Sequence, residues 1–426
     1  MSKAVIAFAA TLCVAGYVFV YAARKADQPI RSDGFSYYVY LPSWFLFHDT
    51  TLREVALDCC GGEFPAFTAI IRWPETRRWV NAHPIGVAIF QAPFFVAAHL
   101  LTRWTNLSPD GFTLYYQHAA GLSGVFWAIA GLVVLRDILR RHFSDAVTAA
   151  TLFAVLFGTN LFHYATYDSS YSHVYSFFLF ACFLNLTDRW HERPSRRLSV
   201  LLGLVAGFIV LVRHTNVLFL ATFPMYGATN LATLTSTWHR LKSQWREVLV
   251  MTTVGLVVIA PQLALYYQAT GRFLVSSYGS LGFNFTAPRI FGVLFSVQKG
   301  VFFWSPLLLA ALAGLVFSPG LARNVRLGGM LFLVANTYLI ASWWDWQFGG
   351  SYGHRGFVDG FPIFAIGLAG FFQWAAASAT RRSLVTICAT VAIALSVVQM
   401  IQYWNRVMPM SDTTWDHYRS VFLRLQ

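Results

Sequence analysis

The stretch AVIAFAATLCVAGYVFVYAA at 4–23 decides the fold, and SDGFSYYVYLPSW at 32–44 follows it closely. The first stretch is almost entirely apolar and as long as the roughly 20 residues that a helix needs to cross a bilayer core. A signal peptide has a shorter apolar stretch of about 7–15 residues, so we interpret 4–23 as an uncleaved membrane anchor. The first predicted element is therefore a transmembrane helix.

Similar apolar runs recur along all 426 residues, of which 57% are hydrophobic and only 12% charged. Alternating strand patterns are absent, so the predicted fold class is all-α, in one integral membrane domain that spans 1–426. We expect about eleven transmembrane helices, together with juxtamembrane helices on the outer face. The predicted spans are 4–23, 112–135, 146–162, 173–187, 199–212, 216–231, 248–267, 301–317, 328–342, 357–374 and 384–402.

Alternate loops differ in charge. Six loops on one side together hold 15 Lys/Arg and 5 Asp/Glu: 1–3, 136–145, 188–197, 239–247, 323–326 and 381–382. The other side holds the remaining 16 Lys/Arg and 13 Asp/Glu. The positive-inside rule then predicts a cytoplasmic N-terminus and an outer C-terminal tail at 403–426. Because loop asymmetry explains the net charge of +13, no nucleic-acid partner is needed.

The outer face carries most of the non-membrane residues, in a first loop at 23–111 and a segment at 268–300. The orientation requires that 83–101 does not cross the bilayer. Pro93 lies in the middle of this stretch, which suits a helix that lies on the outer face or re-enters from it. A simple crossing is the alternative.

Asp33 is the most informative chemical group of this loop, close to Tyr37 and Tyr38. A carboxylate held partly desolvated at a membrane face has a raised proton affinity, which suits it to act as a general base on a hydroxyl. The alternative is structural, with Ser32-Asp33-Gly34 forming a helix N-cap. His83, before Pro84, could add a polar group near Asp33.

A second constellation is WWDWQFGGSYGHRGFVDGFP at 343–362. Trp346 and His354 are candidates for binding a sugar or acceptor, and the planar guanidinium of Arg355 is suited to a phosphate. An aromatic belt with an interfacial arginine is the alternative.

Further polar residues lie at other span ends. ATYDSSYSHVYSF at 165–177 contains Asp168 and His173, which are candidate acceptor or sugar contacts. These two residues, five positions apart, do not share a helical face if the helix begins after Tyr171, so no dyad is assigned. Arg213, Arg289 and Lys299 could join Arg355 in a positive pocket for a lipid phosphate. Taken separately, each is an ordinary interfacial base.

Several catalytic signatures are missing from the sequence. It has no Gly-rich phosphate loop ending in Lys-Ser/Thr, no HExxH, no GxSxG and no cysteines at metal-ligand spacing. We therefore predict no metal site and no cofactor. Charged residues are also scarce within the spans, which disfavours an ion-coupled transporter.

At the level of motifs, the chain resembles the GT-C superfamily of membrane glycosyltransferases, in particular bacterial relatives of protein O-mannosyltransferases and lipid A aminoarabinose transferases. The resemblance rests on Asp33 followed by Tyr37 and Tyr38, on His83-Pro84, and on the strings KGVFFWSP at 299–306 and WQFGGSYGHR from residue 346. Many relatives have Asp-Glu in the first loop, whereas Gly34 follows Asp33 here.

The resemblance implies a transferase of the bacterial inner membrane that acts on its periplasmic face. A sugar, hexosyl or pentosyl, would pass with inversion from a polyprenyl-phosphate donor to a hydroxyl of an envelope glycan, lipid or protein. Asp33 would be the catalytic base, and Arg355, Arg213 and Lys299 would hold the lipid phosphate. The alternative from another class is a flippase or transporter of lipid-linked glycans, without chemistry.

Overall fold

In the computed structural model, residues 1–23, 28–276 and 281–426 are described. Residues 24–27 of the predicted first outer loop and 277–280 of the predicted outer segment 268–300 lie outside the described residues. The described parts are almost entirely helical, which confirms the all-α class. A single two-stranded antiparallel hairpin, with Ile71 opposite Val80, occurs within the described ranges.

The helices are α1 (Ser2–Ala23), α2 (Asp33–Tyr38), α3 (Tyr40–Phe45), α4 (Arg53–Cys60), α5 (Gly86–Thr102), α6 (Leu114–His142), α7 (Asp145–Phe157), α8 (Leu161–Thr166), α9 (His173–Glu192), α10 (Arg196–Val212), α11 (Leu231–Ser243), α12 (Trp245–Thr270), α13 (Ile290–Phe295), α14 (Val301–Trp304), α15 (Leu307–Phe317), α16 (Leu321–Ser342), α17 (Phe361–Ala376), α18 (Ala379–Trp404) and α19 (Trp415–Ser420). Ala66–Thr68, His214–Thr222 and Arg355–Gly360 are 3-10 helices, and the hairpin strands are β1 (Ile70–Arg72) and β2 (Trp79–Asn81).

Six helical segments among the described residues are long and apolar enough to cross a membrane: Ser2–Ala22, Leu114–His142, Trp245–Thr270, Leu321–Ser342, Arg355–Ala376 and Ala379–Trp404. Three shorter apolar helices, α5, α7 and α15, accompany them. The protein is therefore a polytopic membrane protein of the all-α class.

The predicted span at 216–231 is wrong. Its first half belongs to the 3-10 helix His214–Thr222, and no α-helix follows before Leu231. Pro224 lacks a backbone donor, and Gly227 has a left-handed φ of 79°, so neither supports a continuous helix here.

Two other predicted spans are divided. The segment 301–317 is interrupted at Ser305-Pro306, between α14 and α15. The segment 146–162 is interrupted after Phe157, where Gly158 ends α7 before α8 begins. Proline and glycine at these points explain why the apolar runs do not form single helices.

Helix α5 covers the N-terminal half of α6. The rings of Phe90 and Trp127 lie 4.8 Å apart between centroids, and Nδ1 of His99 lies 2.6 Å from the Tyr116 hydroxyl. The helix continues through Pro93 without a break. Its placement relative to the bilayer stays a prediction.

Close contact between α15 and α17 depends on glycine. A Cβ atom at Gly314 would lie 1.9 Å from the carbonyl oxygen of Gly367, and one at Gly367 would lie 2.1 Å from that of Ala311. Real Cβ atoms do not approach backbone oxygen so closely. The two backbones therefore pack against each other without intervening side chains, as small residues allow in membrane helices.

We expect Gly314→Val to destabilise the protein, because the added side chain must push α15 away from α17. Overpacking of this kind costs about 1–3 kcal/mol, so the thermal midpoint of the detergent-solubilised protein should fall. Gly282→Ala is the control, since a Cβ atom there meets nothing within 4 Å. A midpoint equal to that of the wild type would contradict the contact.

Candidate active site

Asp33 opens α2 directly after a strained residue. Ser32 has a φ of 46°, in the left-handed region that non-glycine residues rarely adopt, and its side chain makes no capping hydrogen bond. Such strain concentrates at functional sites, where the surrounding structure holds it. The N-cap interpretation of Asp33 is wrong, because the cap position is Ser32 and the Asp33 carboxylate binds elsewhere.

The residue after Asp33 has no room for a side chain. A Cβ atom at Gly34 would lie 2.2 Å from Oγ of Ser170, and that hydroxyl is fixed because it donates to the Pro29 carbonyl at 2.7 Å. This packing leaves no room for a carboxylate at position 34, where many of the relatives have Glu. Asp33 is consequently the sole acid of α2.

Asp33 is paired with Arg355, as Nη2 of Arg355 lies 3.0 Å from Oδ2 of Asp33. The aspartate side chain is 26% exposed and the arginine 13% exposed. Burial alone would raise the pKa of Asp33, but the nearby charges, Arg355 foremost, hold it below its usual range. The predicted rise in proton affinity is therefore wrong for this arrangement, and the carboxylate is ionised at neutral pH.

Phe348 lies close to two guanidinium groups. The Cζ atom of Arg355 is 5.7 Å from the centre of its ring, and that of Arg213 is 5.9 Å away. These distances are within the range of cation–π attraction. Phe348 also has a left-handed φ of 57°, so the loop at 343–362 has a strained backbone at the residue that contacts both cations.

Arg213 is held by a buried carboxylate that the sequence analysis did not identify. Nη1 of Arg213 lies 3.3 Å from Oδ2 of Asp359, and the amide of Asn216 donates to the same oxygen at 3.0 Å. Nδ1 of His173 lies 2.8 Å from the other oxygen. His173 therefore contacts this carboxylate, and Arg213 and Arg355 are each paired with an aspartate beside Phe348.

Asp168 belongs to a separate ion pair. Its Oδ1 accepts from Nη2 of Arg31 at 2.9 Å, and Nε2 of His163 lies 2.8 Å from Oδ2. The indole N–H of Trp404 donates to Nδ1 of His163 at 2.9 Å, so the proton of that imidazole is on Nε2. Asp168 and His173 thus have different partners, and Asp168 ties the segment before Asp33 to α8 and α18.

The predicted tyrosine contacts separate into two groups. Tyr37 donates to Oγ of Ser172 at 3.0 Å, and its ring centroid lies 4.5 Å from that of His83. His83 is 6% exposed, and burial lowers its pKa to about 4. Tyr38, by contrast, donates to the Gly111 carbonyl and is buried among apolar side chains. Tyr37 and His83 are consequently near the site, and Tyr38 supports the core.

Lys299 is buried away from any open phosphate site. It is 2% exposed, and its ammonium donates to the carbonyls of Ser351 and, at 2.8 Å, Met410. Burial lowers the pKa of Lys299 to about 7. Its observed contacts fasten the loop at 343–362 to the C-terminal tail, a structural role that the sequence did not predict.

The remaining predicted residues lie around this loop. The Trp346 ring packs on α13, where a Cβ atom at Gly292 would lie 2.9 Å from it. His354 is 2% exposed between the rings of Phe348 and Phe357, and burial lowers its pKa to about 3. Arg289 is exposed, and no described contact of its side chain joins it to Arg355 or Arg213. The pocket as predicted is wrong on this point, because Arg289 precedes α13 at the protein surface.

One group of potential metal ligands occurs among the described residues, formed by His142, Asp188 and Glu192 with ligand atoms within 4.8 Å of one another. Nη2 of Arg141 lies 2.8 Å from both carboxylates. A guanidinium thus already occupies the position between them. Around Asp33, the neighbours are arginines and histidines, a set suited to an anion.

Sequence reasoning missed Arg31, His163, Phe348 and Asp359. Asp359 stands in the highlighted string 343–362, and Arg31 precedes Asp33 by two residues. Charge balance could have identified Arg31 and Asp359, because an arginine placed near a membrane needs a carboxylate as its counter-charge. His163 and Phe348 carry no such signal, since their roles depend on contacts distant in sequence.

No family model matches the sequence, and a search of curated proteins finds no match. The fold is nevertheless similar to solved structures. ArnT from Cupriavidus metallidurans, bound to undecaprenyl phosphate, superposes with a TM-score of 0.55 at 12% identity, covering 100% of this chain and 73% of that one. An Archaeoglobus fulgidus oligosaccharyltransferase in the apo form gives a TM-score of 0.53 at 12% identity, covering 100% of this chain and 60% of that one.

At such identities the likeness concerns the fold, and a shared scaffold can carry different activities. Together with the membrane helices, these similarities confirm the predicted all-α membrane architecture: the chain has the fold of these two solved structures.

Proposed function

We propose that this protein is an inverting glycosyltransferase that moves a hexosyl or pentosyl group from a polyprenyl-phosphate donor to a hydroxyl acceptor at the periplasmic face of a bacterial inner membrane. The observation that carries the proposal is the ion pair between Asp33 and Arg355, a base and an anion-binding group in direct contact. Its setting is a fold similar to that of a protein solved with undecaprenyl phosphate.

In the absence of substrate, Asp33 occupies the guanidinium of Arg355. A donor phosphate presents the same planar pair of oxygens to arginine and can take the place of the carboxylate. Arg213, whose guanidinium lies 5.9 Å from the centre of the Phe348 ring, adds positive charge to the same region. Binding of the donor then both neutralises the phosphate and releases Asp33 from its partner.

Release from Arg355 makes Asp33 a stronger base, because the opposite charge that lowers its pKa is now shared with phosphate. The acceptor oxygen attacks the anomeric carbon, the bond from that carbon to the phosphate oxygen breaks, and Asp33 takes the hydroxyl proton. The electron pair of the broken bond stays on the polyprenyl phosphate, which Arg355 stabilises. A single displacement of this kind inverts the anomeric configuration.

Tyr37 and His83 supply neutral polar groups beside this reaction. The low pKa of His83, about 4, keeps the imidazole uncharged at neutral pH. Neutral side chains next to Asp33 can orient a hydroxyl by hydrogen bonds without competing for the phosphate. We assign them to acceptor positioning.

We expect Asp33→Asn to lose about 10²–10⁴-fold in turnover, the usual contribution of a general base. The measurement is transfer of radiolabelled sugar from synthetic polyprenyl-phosphate sugars to membrane acceptors, with purified variants matched for thermal stability. Asp58→Asn is the control, because Asp58 is an exposed carboxylate of α4 in the same outer region. If Asp33→Asn transfers sugar at the wild-type rate, Asp33 is not the base.

We expect kcat/KM of the wild type to stay constant as the pH is lowered to about 5 and to fall only below that pH, on the acid limb of the pH profile. Asp33 has a lowered pKa and that of His83 is about 4, so neither changes its protonation state between pH 5 and 8. Arg355→Gln removes the largest charge that opposes the effect of burial on Asp33, so the pKa of Asp33 should rise and the limb should move to higher pH. Identical limbs in both proteins would contradict the role of the ion pair.

A further inference from the structure

A groove of about 790 Å³ opens at the end of the helix bundle that the sequence assigns to the cytoplasmic side. It lies between the α6–α7 turn, the α15–α16 turn and the C-terminal end of α17. Its walls are mainly apolar, with Phe143, Phe317, Phe371 and Trp374 as the large side chains. Phe317 is 82% exposed and Trp374 50% exposed, so these rings are open to an occupant.

The rim of this groove is basic. Cζ of Arg381 lies 4.9 Å from the ring centre of Trp374, one of the groove walls. Arg382 follows Arg381 in the chain, and Arg323 lies two positions after Leu321, which lines the groove. Both arginines are exposed. Within the described ranges, no carboxylate pairs with any of these three arginines, and the residues that line the groove include no Asp or Glu.

Two further features favour an anion. The start of α16, at Gly320 and Leu321, forms part of the lining, and the positive end of a helix dipole attracts negative charge. The loops 136–145, 323–326 and 381–382, which border the groove, are among those whose basic excess predicted the cytoplasmic side. In bacteria and other cells, anionic lipids meet such basic pockets between helices at this face.

We propose that the groove binds one anionic phospholipid, with its phosphate at Arg381 and Arg382 and an acyl chain against Phe317, Phe371 and Trp374. Apolar walls alone would accept any lipid chain, whereas the unopposed arginines select the charged headgroup. The volume is within the range of about 300–1,000 Å³ that ligand pockets have. This proposal does not depend on the transferase activity, because the groove contains none of the residues around Asp33.

The test is native mass spectrometry of the full-length, detergent-purified protein, titrated with phosphatidylglycerol or phosphatidylcholine that carry identical acyl chains. We expect one retained phosphatidylglycerol and weaker retention of phosphatidylcholine. Arg381→Gln and Arg382→Gln should each weaken phosphatidylglycerol binding about fivefold, the value of one basic residue near an anionic headgroup. Arg103→Gln, an exposed arginine beyond the groove, should leave it unchanged.

A second variant tests the acyl-chain contacts. Phe317→Ala removes an exposed wall at little cost to the core and should weaken binding of both lipids equally. Equal retention of the two lipids by the wild type would overturn the proposal. So would wild-type affinity for phosphatidylglycerol in the double arginine variant.

Discussion

The architecture of the site depends on an ion pair between opposite ends of the chain. Asp33 follows the first transmembrane helix, and Arg355 opens the 3-10 helix that precedes α17, yet their side chains lie 3.0 Å apart. Burying either charge alone would be costly, whereas together they offset most of the loss of hydration. The first loop and the loop at 343–362 must therefore fold against each other before either charge is satisfied.

Two parallel links repeat this arrangement. Arg31 joins the first loop to Asp168, and Arg213 joins the end of α10 to Asp359. The buried lysine at 299 then fastens the same C-terminal loop through backbone carbonyls. Each link connects segments that an apolar core cannot position by itself, since hydrophobic contact has no direction. Polar contacts thus define the geometry of the site, while the helices supply the scaffold.

The sequence predicted the scaffold well because hydrophobic length is a local property. The long helices at α1, α6, α12, α16 and α18 coincide with apolar runs, and the predicted spans differ from the structure at local breakers such as Pro224 and Pro306. It also identified Asp33 and Arg355, since a charge at a span end is conspicuous. It could not predict that they pair, nor that Lys299 is buried and Arg289 exposed, because those outcomes depend on how distant segments pack. The sign of the pKa shift of Asp33 was wrong for the same reason.

The three ion pairs around the site have a consequence for the energetics of transfer. Asp33, Asp168 and Asp359 balance Arg31, Arg213 and Arg355 one to one, so the site is electroneutral before substrate enters. In the proposed reaction a phosphodiester becomes a phosphomonoester, which gains one negative charge, while Asp33 loses one by accepting a proton. Net charge in this low-dielectric region stays constant during the chemical step, and no counter-ion has to enter for the sugar to move.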